Sequence, residues 1–187
     1  MLNKNKERKR AIFLDRDGTI LKEVEYLSDP DLIEILPDVE EAILRLNELG
    51  LLKIVVTNQS VVGRGIITLD RLQEIHSKLR ELLRSKGIEL DAIYFCPHKP
   101  EDKCDCRKPS HKMLLQAAKE HNIDLTKSFV VGDRLMDVLM GKSVQAKTVV
   151  IPSKWTSLDG DYKKFGADIV CNNLLEAALW IERISEG

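Results

Sequence analysis

Six short runs of β-branched and aromatic residues, at 11–14, 54–57, 93–95, 129–131, 148–151 and more weakly 168–171, are spread along this chain, and most are apolar without interruption. A strand with one face in water alternates apolar and polar residues, whereas an unbroken apolar strand is covered on both faces. Segments of helical period fill the intervals. Val39, Ala42, Ile43, Leu46 and Leu49 share one helical face between Pro37 and Gly50. Leu72, Ile75, Leu79, Leu82 and Leu83 share another, between Thr68, a side chain suited to an N-cap, and Gly87. Residues 113–121, 135–140 and 174–184 predict three more helices. Strands alternating with helices predict an α/β chain, a Rossmann-like three-layer fold with a mainly parallel sheet. Ligands of such sheets collect beyond the carboxyl ends of the strands.

The chain has 187 residues, 43% of them hydrophobic, and no repeat or linker divides it. A single domain over residues 1–187 is expected, with residues 1–10 as a flexible basic tail. Lys4, Lys6, Arg8, Lys9 and Arg10 read as a solvated segment, the alternative being an arm for nucleic acid or acidic lipid. The 29 basic and 30 acidic residues leave a net charge of −1, which speaks against a dedicated nucleic-acid surface. No apolar run approaches the roughly 20 residues a membrane helix needs. The opening residues lack the apolar core of a signal peptide, so no membrane partner is expected and the cytoplasm is the expected compartment.

Polar residues gather where the predicted strands end. After the first comes Asp15-Arg16-Asp17-Gly18-Thr19. Carboxylates spaced i, i+2 on an extended backbone point the same way, Gly18 permits a sharp turn, and the Thr19 hydroxyl is placed to tie it. An acidic turn with no further task is the alternative. The second strand ends in Thr57, Asn58, Gln59 and Ser60, a row of hydroxyls and amides suited to phosphate oxygens. The fourth ends in Gly132, Asp133 and Arg134, followed by Asp137, and Arg107 and Lys108 precede Pro109 between them. A carboxylate pair with a distant Asp makes a hard oxygen site for Mg2+, and hydroxyl and Lys donors fit a transferring phosphoryl group. Asp137 reads either as an organiser of the metal site or as a solvated first-turn acid. Asn58 reads as a substrate contact or as a partner of its own backbone.

Three of the 4 cysteines lie in one stretch with a histidine: Cys96, His98, Cys104 and Cys106. Three thiolates and an imidazole are a common set for structural Zn2+, and a closed four-ligand site contributes folding energy. A reduced surface cluster or a redox pair is the alternative. Cys106 runs directly into Arg107 and Lys108, so a metal here would hold a loop that presents two cations. Cys171, alone in an apolar run, reads as packing.

In this order the motifs resemble those of the haloacid dehalogenase-like (HAD) phosphatases, from Phe13 to Asp137. The resemblance implies a HAD-like fold with no large cap domain and a zinc-binding loop. It implies Asp15 as the nucleophile, Asp17 as acid and base, and Thr57 and Lys108 as holders of the phosphoryl oxygens. It implies Mg2+ on Asp15, the Asp17 backbone carbonyl and Asp133. With the Cys-Pro-His loop, the sequence is similar to the heptose-bisphosphate and histidinol-phosphate phosphatase branch, whose members are usually monomers. Arg64 stands where the heptose members carry arginine, Val61 where they carry glycine, and Gly63 is expected to restore flexibility there. The stretch from Glu23 to Tyr26 would line the sugar. A small phosphorylated substrate is therefore expected, a sugar bisphosphate such as D-glycero-D-manno-heptose 1,7-bisphosphate ahead of histidinol phosphate. Its contacts are expected from Glu23, Tyr26, Asn58, Gln59, Ser60, Arg64, Arg107 and Arg134, with Arg107 reading a second phosphate. Arg64 as an ordinary surface residue, and the whole chain as a catalytically silent zinc-stabilised binding module, are the competing readings.

Overall fold

A computed structural model describes residues 7–153, 162 and 164–186. Strands β1 (Ala11–Leu14), β2 (Leu52–Asn58), β3 (Ala92–Cys96), β4 (Phe129–Gly132), β5 (Lys147–Val150) and β6 (Ile169–Val170) form one sheet in the order β3-β2-β1-β4-β5-β6. Every neighbouring pair is parallel. Among the described residues the helices are α1 (Val39–Glu48), α2 (Ser60–Gly63), α3 (Leu69–Arg84), α4 (Lys112–His121), α5 (Leu135–Ser143) and α6 (Leu174–Glu186).

The unbroken apolar strands divide their side chains between two cores. Ile12, Leu14, Val55, Val131 and Val149 pack with Ile43 and Leu46 of α1, Ile75 and Leu79 of α3, and Ala178 and Ile181 of α6. Ala11, Phe13, Ile54, Val56 and Val130 pack with Met113, Leu114 and Ala117 of α4 and Met140 of α5. Each such aliphatic side chain, fully buried, contributes about 1.5–3 kcal/mol. The predicted Thr68 cap is present, its Oγ1 accepting from Arg71 N–H at 3.1 Å. Cys171 is buried in the first core, as its apolar setting predicted.

Two boundaries differ from expectation. Lys9 and Arg10 belong to the fold: Lys9 N–H bonds Asn122 O at 2.9 Å, and Leu52 N–H bonds Arg10 O at 3.0 Å. These are main-chain bonds, which fix the backbone while Lys9 stays exposed to solvent. Lys4 and Lys6 lie outside the described residues. Helix α2, a single turn, is too short to show a hydrophobic period, and the sequence pattern missed it.

From β1 the chain proceeds to β2 on one side, and from β4 to β5 on the other, so the sheet reverses its winding between β1 and β4. That switch point opens a crevice beyond the strand ends. Between β1 and α1 the chain forms only an arm, closed at its base by Lys22 N–H to Glu34 O and Leu36 N–H to Ile20 O, both 2.9 Å. Arg71 of α3 ties the arm down through Nε to Ser28 O at 3.0 Å. Among the described residues no separate cap domain stands over the crevice, and no helix is long and apolar enough to cross a membrane.

Candidate active site

Asp15 leaves β1 with its N–H on Val131 O of β4 at 2.9 Å, which seats it at the reversal. Lys108 Nζ donates to Asp15 Oδ1 at 2.6 Å, Asp137 Oδ1 at 2.6 Å and Val56 O at 3.0 Å. All three charged side chains are buried. Asp15, Asp133 and Asp137 each bring a carboxylate oxygen within 4.8 Å of the others. Burial, opposed by the Lys108 ammonium and aided by the neighbouring carboxylates, raises Asp15 to about 7. Burial likewise raises Asp133 to about 6. Burial alone would lower Lys108, but Asp137 and Asp15 outweigh it and hold the ammonium charged. Crowded carboxylates that resist ionisation are a fitting donor set for a divalent cation. Asp137 is thus neither solvated nor peripheral: it steadies Lys108, and its Oδ2 accepts from Arg134 N–H at 3.2 Å.

Gly18 makes the approach of Asp133 possible. Its φ is +84°, and a Cβ there would lie 2.6 Å from Asp133 Oδ2. The turn after β1 is closed by backbone alone, with Ile20 and Leu21 N–H on Arg16 O at 3.0 and 2.9 Å. The Thr19 hydroxyl is buried without a hydrogen-bond partner, so it does not tie the turn as expected.

Asp17 is held by a residue that the sequence reading passed over. The Arg16 guanidinium reaches Asp17 Oδ2 through Nη2 at 2.9 Å and Gln59 Oε1 at 2.9 Å. Gln59 Nε2 donates to Asp17 Oδ2 and to Thr57 Oγ1, both at 2.8 Å. Gln59, expected on the substrate, lines the cavity but is buried, with its amide bonded to Asp17, Thr57 and Arg16. Asn58, expected there too, clamps the Lys108 backbone: Oδ1 accepts from Lys108 N–H at 3.0 Å and Nδ2 donates to Lys108 O at 3.3 Å. The signal for Arg16 was its place between two carboxylates that share a direction. The residue between them is buried among the site's own side chains, where a cation needs a partner.

The crevice is a cavity of about 370 Å³ lined by Asp15, Asp17, Thr57, Lys108 and Asp133 at its base. Glu23 and Tyr26 from the arm, Ser60 from α2, and Arg16, Asn58, Gln59, Arg107 and Arg134 also line it. Arg64 does not: it follows the single turn of α2, which carries it past the cavity to an exposed position.

Beyond β3, the Cys96 Sγ lies 3.5 Å from Cys104 Sγ and 3.1 Å from Cys106 Sγ, and Cys104 and Cys106 are 3.6 Å apart. His98 Nδ1 is 3.6 Å from Cys96 and 3.3 Å from Cys106. A tetrahedron with metal–sulfur bonds of about 2.3 Å has sulfur–sulfur edges of about 3.8 Å, so these four atoms lie close to the shape Zn2+ requires. Burial raises the Cys96 and Cys106 thiols; at Cys104 it is overcome by N–H donors of Cys106 and Arg107 and by Cys96, bringing that thiol down to about 7. The loop is pinned to α2 by Gly63 N–H on Pro97 O at 2.8 Å, and Arg107 Nη1 donates to His98 O at 3.1 Å. A Cβ on Gly63 would lie 2.8 Å from that same carbonyl. Gly63 thus supplies room for the loop rather than the flexibility expected of it.

A parallel sheet with an Asp15–Lys108–Asp137 cluster and an acid-base candidate at its switch point defines a HAD-type hydrolase of phosphate esters. The HAD-hydrolase-like family matches residues 105–177. The chain is 38% identical to the D-glycero-beta-D-manno-heptose-1,7-bisphosphate 7-phosphatase of Pasteurella multocida, over 96% of this chain and 98% of that one. It is 38% identical to the enzyme of that name from Helicobacter pylori, over 92% and 97%. The crystal structure of D,D-heptose 1,7-bisphosphate phosphatase from B. bronchiseptica, complexed with magnesium and phosphate, superposes with a TM-score of 0.84 at 30% identity, covering 94% of this chain and 99% of that one. The chain belongs to the heptose-1,7-bisphosphate 7-phosphatase family of HAD hydrolases, and it is a phosphatase.

Proposed function

We propose that the protein removes the 7-phosphate of D-glycero-beta-D-manno-heptose 1,7-bisphosphate. The observation that carries this reading is one cavity that joins the Asp15–Lys108 base to Arg107 and Arg134, cations enough for a second phosphate. Likeness to named heptose-bisphosphate phosphatases along almost the whole chain supports it.

Asp15 attacks phosphorus in line, its oxygen forming a bond as the bond to the sugar oxygen breaks. Asp17 gives its proton to that leaving oxygen, so the sugar departs as an alcohol. Asp17 then takes a proton from the water that attacks the aspartyl-phosphate, releasing inorganic phosphate and restoring the Asp15 carboxylate. Thr57 and Lys108 hold the phosphoryl oxygens, and Asp137 holds Lys108. Asp15, the Asp17 carbonyl and Asp133 would hold Mg2+, which would supply positive charge to offset that of the phosphoryl oxygens. Zn2+ would be held by Cys96, His98, Cys104 and Cys106, and would keep Arg107 and Lys108 in place.

The test is a kcat/KM panel with Mg2+ on both anomers of heptose 1,7-bisphosphate, histidinol phosphate and fructose 1,6-bisphosphate, with Asp15→Asn as the control. The beta heptose is expected to lead, and the control to lose at least about a thousandfold. Preference for histidinol phosphate would overturn the substrate.

A further inference from the structure

We infer that Arg16 is a positioning residue of the reaction: its buried guanidinium, together with the Gln59 amide, sets the orientation of the Asp17 carboxylate. The inference rests on the reading of Asp17 as acid and base. Arg16 is 1% exposed, yet the side chain it holds is 25% exposed and lines the cavity. The clamp therefore aims Asp17 at the cavity rather than hiding it. Arg16 Nε lies 3.1 Å from both Asp17 oxygens, and Nη2 lies 2.9 Å from Oδ2. Gln59 Nε2 adds a further bond to Oδ2 at 2.8 Å. Oδ2 thus accepts three hydrogen bonds and Oδ1 shares a single donor, which leaves Oδ1 with the spare capacity to exchange a proton with substrate.

The arrangement is dedicated to Asp17. Among the described residues Arg16 pairs with no other carboxylate. The same Nη2 holds Gln59 Oε1, fixing which end of the amide faces Asp17. Gln59 in turn donates to Thr57 Oγ1, so the hydroxyl proposed for the phosphoryl group and the acid-base carboxylate share one network. A planar, always-charged fork suits this task, and a lysine would hold the charge without the geometry.

The leaving group supplies the test. A nitrophenolate departs without a proton, whereas an alkoxide needs one as its bond to phosphorus breaks. For Arg16→Met, kcat/KM is measured on a sugar monophosphate and on p-nitrophenyl phosphate in the same preparation, so any loss of folded protein cancels in the ratio. The sugar phosphate is expected to lose at least about tenfold more than the aryl ester, in the direction shown by Asp17→Asn. Arg16→Lys is expected not to restore the ratio, and Gln59→Leu, which leaves the guanidinium in place, to shift it the same way. Equal losses on both substrates in Arg16→Met and Gln59→Leu, with Asp17→Asn still discriminating, would overturn the role of Arg16 alone. Equal losses in Asp17→Asn would instead overturn the reading of Asp17 on which it rests.

Discussion

Asp15 is held in two ways, by Val131 O through its own N–H and by the Lys108 ammonium through its carboxylate, so the proposed nucleophile has little freedom to turn from the cavity. His76 lies outside the residues that line the cavity. It is buried, packs edge-on against Phe95 at 5.4 Å, and has an Nε2 without a hydrogen-bond partner. Burial, aided by the Arg16 charge, lowers it from 6.5 to about 3. Between those values the unfolded chain binds a proton that the folded chain does not, so stability rises with pH through this window. The contribution is complete above pH 6.5 and is lost as pH falls toward 3, in total about 5 kcal/mol at most. His76→Leu is expected to flatten the dependence of unfolding free energy on pH between 4.5 and 6.5, which urea titrations at several pH values (roughly one unit apart) would read. An unchanged slope would show that another group sets it.

The loop from β3 to α4 is the element that carries four side chains able to hold a metal ion. Its backbone is anchored by Gly63, Asn58 and Arg107, and its three cysteines pack against the second core as well as against one another. A cation bound among them would displace the thiol protons that burial holds on Cys96 and Cys106. Stripping Zn2+ is expected to raise hydrogen exchange between residues 96 and 108, lower the Tm, and reduce kcat/KM through displacement of Lys108. Full activity in demonstrably zinc-free protein would contradict the idea that metal binding preorganises the site.

Lys108 joins the two halves of the whole molecule. Its Nζ bonds Asp15 after β1, Val56 O on β2 and Asp137 on α5, which spans the reversal of the sheet. Lys108→Met would leave Asp15 and Asp137 buried without their cation, at a cost of about 3–5 kcal/mol. Mg2+ can offset part of that imbalance because it binds the folded state alone. The variant is therefore expected to have a lower Tm than the parent and to gain more Tm from added Mg2+ at pH 8. An equal Mg2+-induced gain in both proteins would show that Lys108 does not balance the carboxylates.

Strand identity, helix faces and the order of the motifs were legible in residues 11–184, because covered strands and amphipathic helices write their periods into local sequence. That Asp15, Asp17 and Asp133 gather at strand ends was legible in the sequence, and the structure places them and Lys108 at one cavity. Only the folded chain decided the partners of Gln59, Asn58 and Arg16. A side chain at a strand end can face substrate or a neighbouring segment, and its choice depends on contacts 43 or 50 residues away. The same holds for Arg64, carried off the cavity by one helical turn, and for Asp137, drawn inward by a lysine 29 residues earlier. Local periodicity specifies elements, whereas the direction of a polar side chain is set by which distant donor or acceptor reaches it first when the layers close.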